Sequence, residues 1–207
     1  MKAQIFVTDI NEISIPADMP LSDYRREKLD KQCELLQRQG LACEYLLREA
    51  LKGRGLCPDE KLGIAADEKG KPRLIDTPLH FSLSHSHSAA ACALSSRELG
   101  LDIQKISPFN ERLAKRYFSA SELEHIYSSQ NRDIEFTRLW CAKESYIKSI
   151  GSTLSGALSS ALVHIDAQGG LSCKGNRIYC LEWRDYVLCC CSPFVDSLEI
   201  EITELSI

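Results

Sequence analysis

The sequence predicts an α/β (α+β) fold of two similar, pseudo-duplicated subdomains, residues 1–100 and 101–207, each a helix packed on a small, mostly antiparallel sheet. Three observations predict it. Leu29, Cys33, Leu36, Leu47 and Leu51 recur at helix-like intervals between Asp23 and Lys52, as one buried helical face requires. Short segments that alternate apolar and polar residues, or are wholly apolar, follow that stretch, as strands do. The same order then returns: a helical pattern from Ile134 to Ile150, followed by another group of strand-like segments.

Taken in order, residues 4–7 read as a short strand, and a polar connection follows through Pro16 and Pro20. The helix over Asp23–Lys52 is ended by Gly53, Gly55 and Pro58. Asp67-Glu68-Lys69-Gly70-Lys71-Pro72 is a turn by composition. His80–Ser84 alternates like a half-buried strand, Ala89–Leu94 suits a buried one, and Leu99–Ile103 suits a third. Ser119-Ala120-Ser121-Glu122 is a capping-box pattern, so a helix starts at Ser119. Gly151 stops the helix over Ile134–Ile150. Ala161–Ile165, Arg177–Trp183, Tyr186–Cys191 and the alternating tail Leu198–Ile202 read as strands.

The 207 residues are 44% hydrophobic and 26% charged, ordinary for a globular protein. A net charge of −4 offers no overall basic field for nucleic acid. The first residues are too soon polar for a signal peptide, and no run is long enough for a membrane span. A cytosolic setting is therefore expected. The ten cysteines include no C-x-x-C pair and sit mostly among apolar neighbours. They read as small buried hydrophobes rather than as disulfides or zinc ligands.

Four features carry possible chemistry. On the 134–150 helix, Lys143 lies four residues from Leu139 and from Ile147, hence on the apolar face. Glu144 stands four after Trp140 and four before Lys148, so these three share a stripe at its edge. A charged pair there is costly unless it is partnered, although the ordinary alternative is a surface i,i+4 pair. Asp102 interrupts the apolar run Gly100-Leu101-Asp102-Ile103. With Glu144 it would supply two oxygen ligands to a hard cation such as Mg²⁺; capping a turn is the alternative. Ser82-Leu83-Ser84-His85-Ser86-His87-Ser88 offers hydroxyl, imidazole and backbone donors to a phosphate. It is equally readable as a polar loop, as a serine hydrolase site lacking the G-x-S-x-G elbow, or as zinc ligation by His85, His87 and Cys92 without a fourth ligand. Lys71 in its turn, with Arg25, Arg26 and Lys28, would form a local basic patch, or simply be solvated.

The ordered set Gly70-Lys71-Pro72, Phe81-Ser82-Leu83-Ser84-His85-Ser86, Gly100-Leu101-Asp102-Ile103, Ala114–Ser119 and Trp140-Cys141-Ala142-Lys143-Glu144-Ser145-Tyr146-Ile147-Lys148 resembles the 4′-phosphopantetheinyl transferases, in particular the double-length Sfp-type group. The match is strongest over residues 70–150. The resemblance implies Mg²⁺-dependent transfer of 4′-phosphopantetheine from coenzyme A to a serine of an apo acyl, peptidyl or aryl carrier protein, in fatty acid, polyketide or nonribosomal peptide synthesis. It implies that Asp102, Gln104 and Glu144 hold Mg²⁺, with Glu144 and Lys148 catalytic. Lys148 and Lys143 would contact coenzyme A, while Lys71, Ser84 and His85 would take its 3′-phosphate. Arg25 and Lys28 would lie near its nucleotide. Trp140 would shape the site, and Glu122 matches a recurrent family acid of open role. The resemblance further implies a monomer, and the cluster Arg112, Lys115 and Arg116 is the expected neighbourhood for the carrier. One position departs from the pattern: Gln104 stands where the family usually has Glu. A coenzyme A-binding module without turnover, or a hydrolase using Ser84 or Ser86 with His85 or His87, are the competing readings.

Overall fold

A computed structural model describes residues 2–56, 61–75, 77–152, 157–193 and 199–206. The chain divides into two compact units, Met1–Glu98 with Ser197–Ile207, and Leu99–Asp196.

The first unit begins with β1 (Lys2–Asp9), α1 (Asp23–Leu29) and α2 (Glu34–Lys52), then β2 (Ile64–Ala66), β3 (Pro72–Leu74), β4 (His80–Ser86) and β5 (Ala89–Ser95). β5 pairs antiparallel with β1 on one side and β4 on the other. Every residue of β5 is buried, and its run of alanines presents little bulk. Ala42, Leu46 and Ala50 of α2 pack into the same core as Ala90, Cys92 and Leu94 of β5, spaced as one helical face demands. The expected single helix over 23–52 is two helices. Gln37 Nε2 donates to the carbonyls of Leu29 (2.8 Å) and Gln32 (3.1 Å). A side chain thus satisfies carbonyls that a continuous helix would have used itself. Neither Gly nor Pro marks the break.

The second unit repeats the plan. Strand β6 (Gly100–Lys105) is followed by α3 (Glu111–Tyr117), α4 (Ala120–Ser128) and α5 (Arg132–Ser149). Four strands complete it: β7 (Val163–Ile165), β8 (Leu171–Cys173), β9 (Asn176–Trp183) and β10 (Tyr186–Ser192). The sheet runs β6-β10-β9-β8-β7, antiparallel throughout. Strand, long helix and hairpin therefore occur twice, as β1-α2-β4-β5 and β6-α5-β9-β10. The last strand, β11 (Glu199–Glu204), returns to the first unit and pairs parallel with β1.

Most expected elements are present, including the capping box, in which Ser119 Oγ accepts from Glu122 N and a Glu122 oxygen accepts from Ser119 N. Gly151 takes the left-handed φ of 65° just past α5. The helix α3 and the short strands β2, β3 and β8 escaped the sequence reading, being too brief for a periodic signal. The cysteine reading needs one correction: Cys180 and Cys189 form a disulfide across β9 and β10, with Cα atoms 4.3 Å apart. These two face each other only because the hairpin turns at Arg184-Asp185, a register that cysteine spacing does not reveal. Cys43, Cys92, Cys141, Cys173, Cys190 and Cys191 are buried thiols.

Candidate active site

The site in the second unit starts from a close approach. A Cβ on Gly100 would lie 2.1 Å from the Ser145 carbonyl oxygen and 2.3 Å from the Ser149 nitrogen. Only glycine lets the backbone of α5 rest directly on β6. Alternation along β6 then puts Gly100, Asp102 and Gln104 on the face toward α5. Cys141, Glu144, Ser145 and Lys148 recur at helical spacing on the stripe of α5 that meets them. The charged stripe legible in the sequence is thus an inner face.

Asp102 is 1% exposed and Glu144 8%. Lys148 Nζ reaches Asp102 Oδ1 at 2.6 Å, and Gln104 Nε2 reaches Asp102 Oδ2 at 2.9 Å. Glu144 is pushed up to about 7, first by burial and then by the Asp102 carboxylate, against the pull of Lys148 and a hydrogen bond with Trp140. Burial opposes the Lys148 charge, but Asp102 and Glu144 outweigh it and hold its ammonium above the ordinary range. Burial and the Asp102 charge push the Cys141 thiol well up, so this cysteine is no nucleophile. Trp140 also stands in an aromatic cluster with Tyr117, Phe118 and Phe136.

Two buried carboxylates thus lie beside Lys148. Such a pair is short of positive charge, and a hard divalent cation would relieve it. Among the described residues no three His, Cys, Asp or Glu side chains converge as a complete metal site. The remaining oxygens would have to come from the Gln104 amide, water or substrate. The donor set fits such an ion.

Lys143, expected at coenzyme A, points elsewhere. It is wholly buried, with Nζ 2.8 Å from Glu122 Oε1 and 2.5 Å from the Ala161 carbonyl oxygen. Its neighbour Glu144 turns toward β6 while Lys143 turns toward α4 and β7, as consecutive helical residues diverge. The Lys143 ammonium is enclosed by protein groups rather than presented to solvent.

In the first unit, Lys71 is 8% exposed and its Nζ lies 2.9 Å from Glu98 Oε2. Arg73 bonds to Glu98 and Asp67, and His80 Nδ1 lies 3.2 Å from Glu98 Oε1. Burial pulls the Lys71 ammonium down, while Glu98 partly restores it. Sequence reasoning missed Glu98, Arg73 and His80, since no motif spacing joins them. Ser84 is buried on β4, and its carbonyl accepts from Cys43 Sγ on α2 at 3.4 Å. His85 is exposed at the next position. Adjacent strand residues face opposite ways, which removes Ser84–His85 as a nucleophile–base pair.

Arg25 is no surface cation. It is 7% exposed, its Nε is 3.7 Å from Glu44 Oε2, and among the described residues that Nε finds no hydrogen-bond acceptor. Glu44 in turn accepts from Ser22 N and Oγ at 2.6 and 2.8 Å. Lys28 lies over the Tyr24 ring, 3.9 Å from its centre. Arg112, Lys115 and Arg116 are exposed on α3, where Lys115 pairs with Glu111 at 2.9 Å.

Known proteins similar to this chain share one family description. A family model described as the 4′-phosphopantetheinyl transferase superfamily matches residues 98–191, the span holding Asp102, Glu144 and Lys148. The gsp 4′-phosphopantetheinyl transferase of Aneurinibacillus migulanus is 32% identical over 177 residues, covering 82% of this chain and 74% of its own. The Sfp 4′-phosphopantetheinyl transferase of Bacillus subtilis (strain 168) is 33% identical over 132 residues, 62% of this chain and 59% of its own length. AcpT of Escherichia coli O157:H7 is 39% identical over 116 residues, 53% of this chain and 58% of its own. On these grounds the chain belongs to the 4′-phosphopantetheinyl transferase superfamily, as an Sfp-type member.

Proposed function

We propose that this chain transfers 4′-phosphopantetheine from coenzyme A to a serine hydroxyl of an apo acyl, peptidyl or aryl carrier protein, releasing adenosine 3′,5′-bisphosphate. The observation that carries the reading is the buried Asp102–Glu144 carboxylate pair with Lys148 beside it. Asp102 and Glu144, with the Gln104 amide oxygen as a neutral third donor, would hold Mg²⁺. That ion supplies neutralisation of the pyrophosphate oxygens when bound. Lys148 sits against Asp102 and offers its ammonium to the same pyrophosphate as charge builds on the leaving group. Glu144 takes the proton of the serine hydroxyl directly or through water. The freed oxygen attacks the β-phosphorus, and no covalent enzyme intermediate is needed. Lys71 and His85 would take the 3′-phosphate, with Ser84 backing them from the buried face of β4, and Arg25 and Lys28 would stand near the nucleotide. The working setting we infer is the cytosol, with the chain as a monomer.

The test is the intact mass of apo carrier proteins incubated with this protein, coenzyme A and Mg²⁺, against a chelator control. A phosphopantetheine-sized gain that the chelator abolishes, and that Glu144→Gln abolishes with an unchanged circular dichroism spectrum, supports the reading. Because Gln104 replaces the usual acid, binding of coenzyme A without any mass gain would favour the non-catalytic module. A fully active Glu144→Gln protein would remove Glu144 as the base.

A further inference from the structure

The Lys143–Glu122 pair is more than a satisfied buried charge. Lys143 is 0% exposed and Glu122 1%. Glu122 Oε1 also accepts from Val163 N at 2.8 Å, and Glu122 Oε2 from Ser119 N at 2.7 Å. Lys143 Nζ adds the Ala161 carbonyl at 2.5 Å and stands 5.1 Å from the centre of the Phe118 ring. The pair therefore ties the start of α4, the middle of α5 and the entry to β7 at one point. That point is the residue adjoining Glu144. Apolar packing specifies one setting of a helix less sharply than directional bonds do, since repacked cores lose uniqueness before they lose stability. Two directional bonds from one ammonium, 2.8 and 2.5 Å long and to different segments, leave α5 a single rotational setting.

We infer that Glu122 and Lys143 are positioning residues whose buried ion pair fixes the rotation of α5, and so aims Glu144 at Asp102 for cation binding. The inference rests on the transferase reading for the identity of the site, and it reassigns Lys143 from substrate contact to scaffold. Lys148 and Asp102 hold the opposite side of the helix and Glu144 keeps its bonds with Trp140 and Asp102, so loss of the inner pair loosens the setting of Glu144 without unfolding α5.

Two variants test it. Lys143→Met leaves Glu122 as an unpaired buried charge and is expected to be poorly stable. Glu122→Gln with Lys143→Met removes both charges, keeps one side-chain oxygen to accept from Val163 N or Ser119 N, and is expected to fold. Mg²⁺ affinity is measured by isothermal titration without carrier, alongside KM for coenzyme A and kcat with apo carrier. The expected result for the double variant is about tenfold weaker Mg²⁺ binding with a similar fall in kcat, as for other outer partners of metal ligands, and KM for coenzyme A within about twofold of wild type. Wild-type Mg²⁺ affinity and kcat in the folded double variant would reduce the pair to a fold contact. A raised KM with kcat intact would restore Lys143 as a substrate contact. Because the titration involves no turnover, it still tests the inference if the wild-type protein modifies no carrier.

Discussion

Gly100→Ala is the sharpest perturbation of the site that touches none of its polar groups. The added methyl would sit 2.1 Å from the Ser145 oxygen and 2.3 Å from the Ser149 nitrogen, and 3.4 Å is the near limit of ordinary contact. Both obstacles are helix backbone, so no rotamer change relieves them. Either α5 moves off β6 by about 1.3 Å or the strand bends by as much. Overpacking of a rigid contact costs about 3 kcal/mol, the upper end of the usual range. For a chain of this length that lowers Tm by about 6–12 °C. The same movement would stretch the 2.6 Å Lys148–Asp102 bond beyond hydrogen-bonding reach. Misplacement of a reacting group by 1 Å can cost about 100-fold in rate. Thermal melts followed by circular dichroism, with carrier mass gain as the activity assay, read both effects. Gly53→Ala is the control, since its Cβ would meet only the Ala50 oxygen at 3.5 Å and the Glu49 oxygen at 3.7 Å, and φ is −60°. A Gly100→Ala protein that melts with wild type and keeps its activity would refute the account of how α5 meets β6.

Two further outcomes follow from the charges. The folded protein holds the Glu144 proton to about 7 where the ordinary value is 4.5. Its protonated form is therefore favoured by folding, and stability contributed this way is present below about pH 4.5 and lost as pH rises through 7, up to about 3 kcal/mol. Chelated protein should accordingly melt lower at pH 8 than at pH 5.5, Mg²⁺ should raise Tm more at pH 8, and Glu144→Gln should flatten both trends. An unchanged slope in Glu144→Gln would assign the pH dependence to other groups. Lys71→Met should raise KM for coenzyme A by about tenfold, the scale of one charge-assisted phosphate contact, while leaving KM for 3′-dephospho-coenzyme A and kcat near wild type. Equal changes for both substrates would show that Lys71 serves only Glu98.

Where a sequence pattern reported a local cause, the fold was legible. The Ser119–Glu122 capping box, the Gly151 stop and the strand expected over His80–Ser84 each have local causes, and each stands in the structure, the strand running on to Ser86. What escaped depended on distant partners. The break between α1 and α2 is made by Gln37 reaching back to Leu29 and Gln32, and the Cys180–Cys189 bond by hairpin register. Neither leaves a mark within a helical or strand period.

The candidate site divides the same way. Asp102, Glu144 and Lys148 were found because polar residues in apolar surroundings stand out, and their spacing put Glu144 and Lys148 on one stripe. Direction was what the spacing withheld. Lys143 lies on an apolar face, and an apolar face buries a lysine whether it meets a ligand or another helix. Only the partner decides, and the partner is Glu122, a residue whose capping-box role already accounted for it in the sequence. One Glu122 oxygen caps Ser119 while the other takes Lys143 and Val163 N. A carboxylate has two oxygens and more than two acceptor positions. A local motif that uses one of them leaves the other free for tertiary work, and this is how the helix start at Ser119 comes to be joined to the residue beside Glu144.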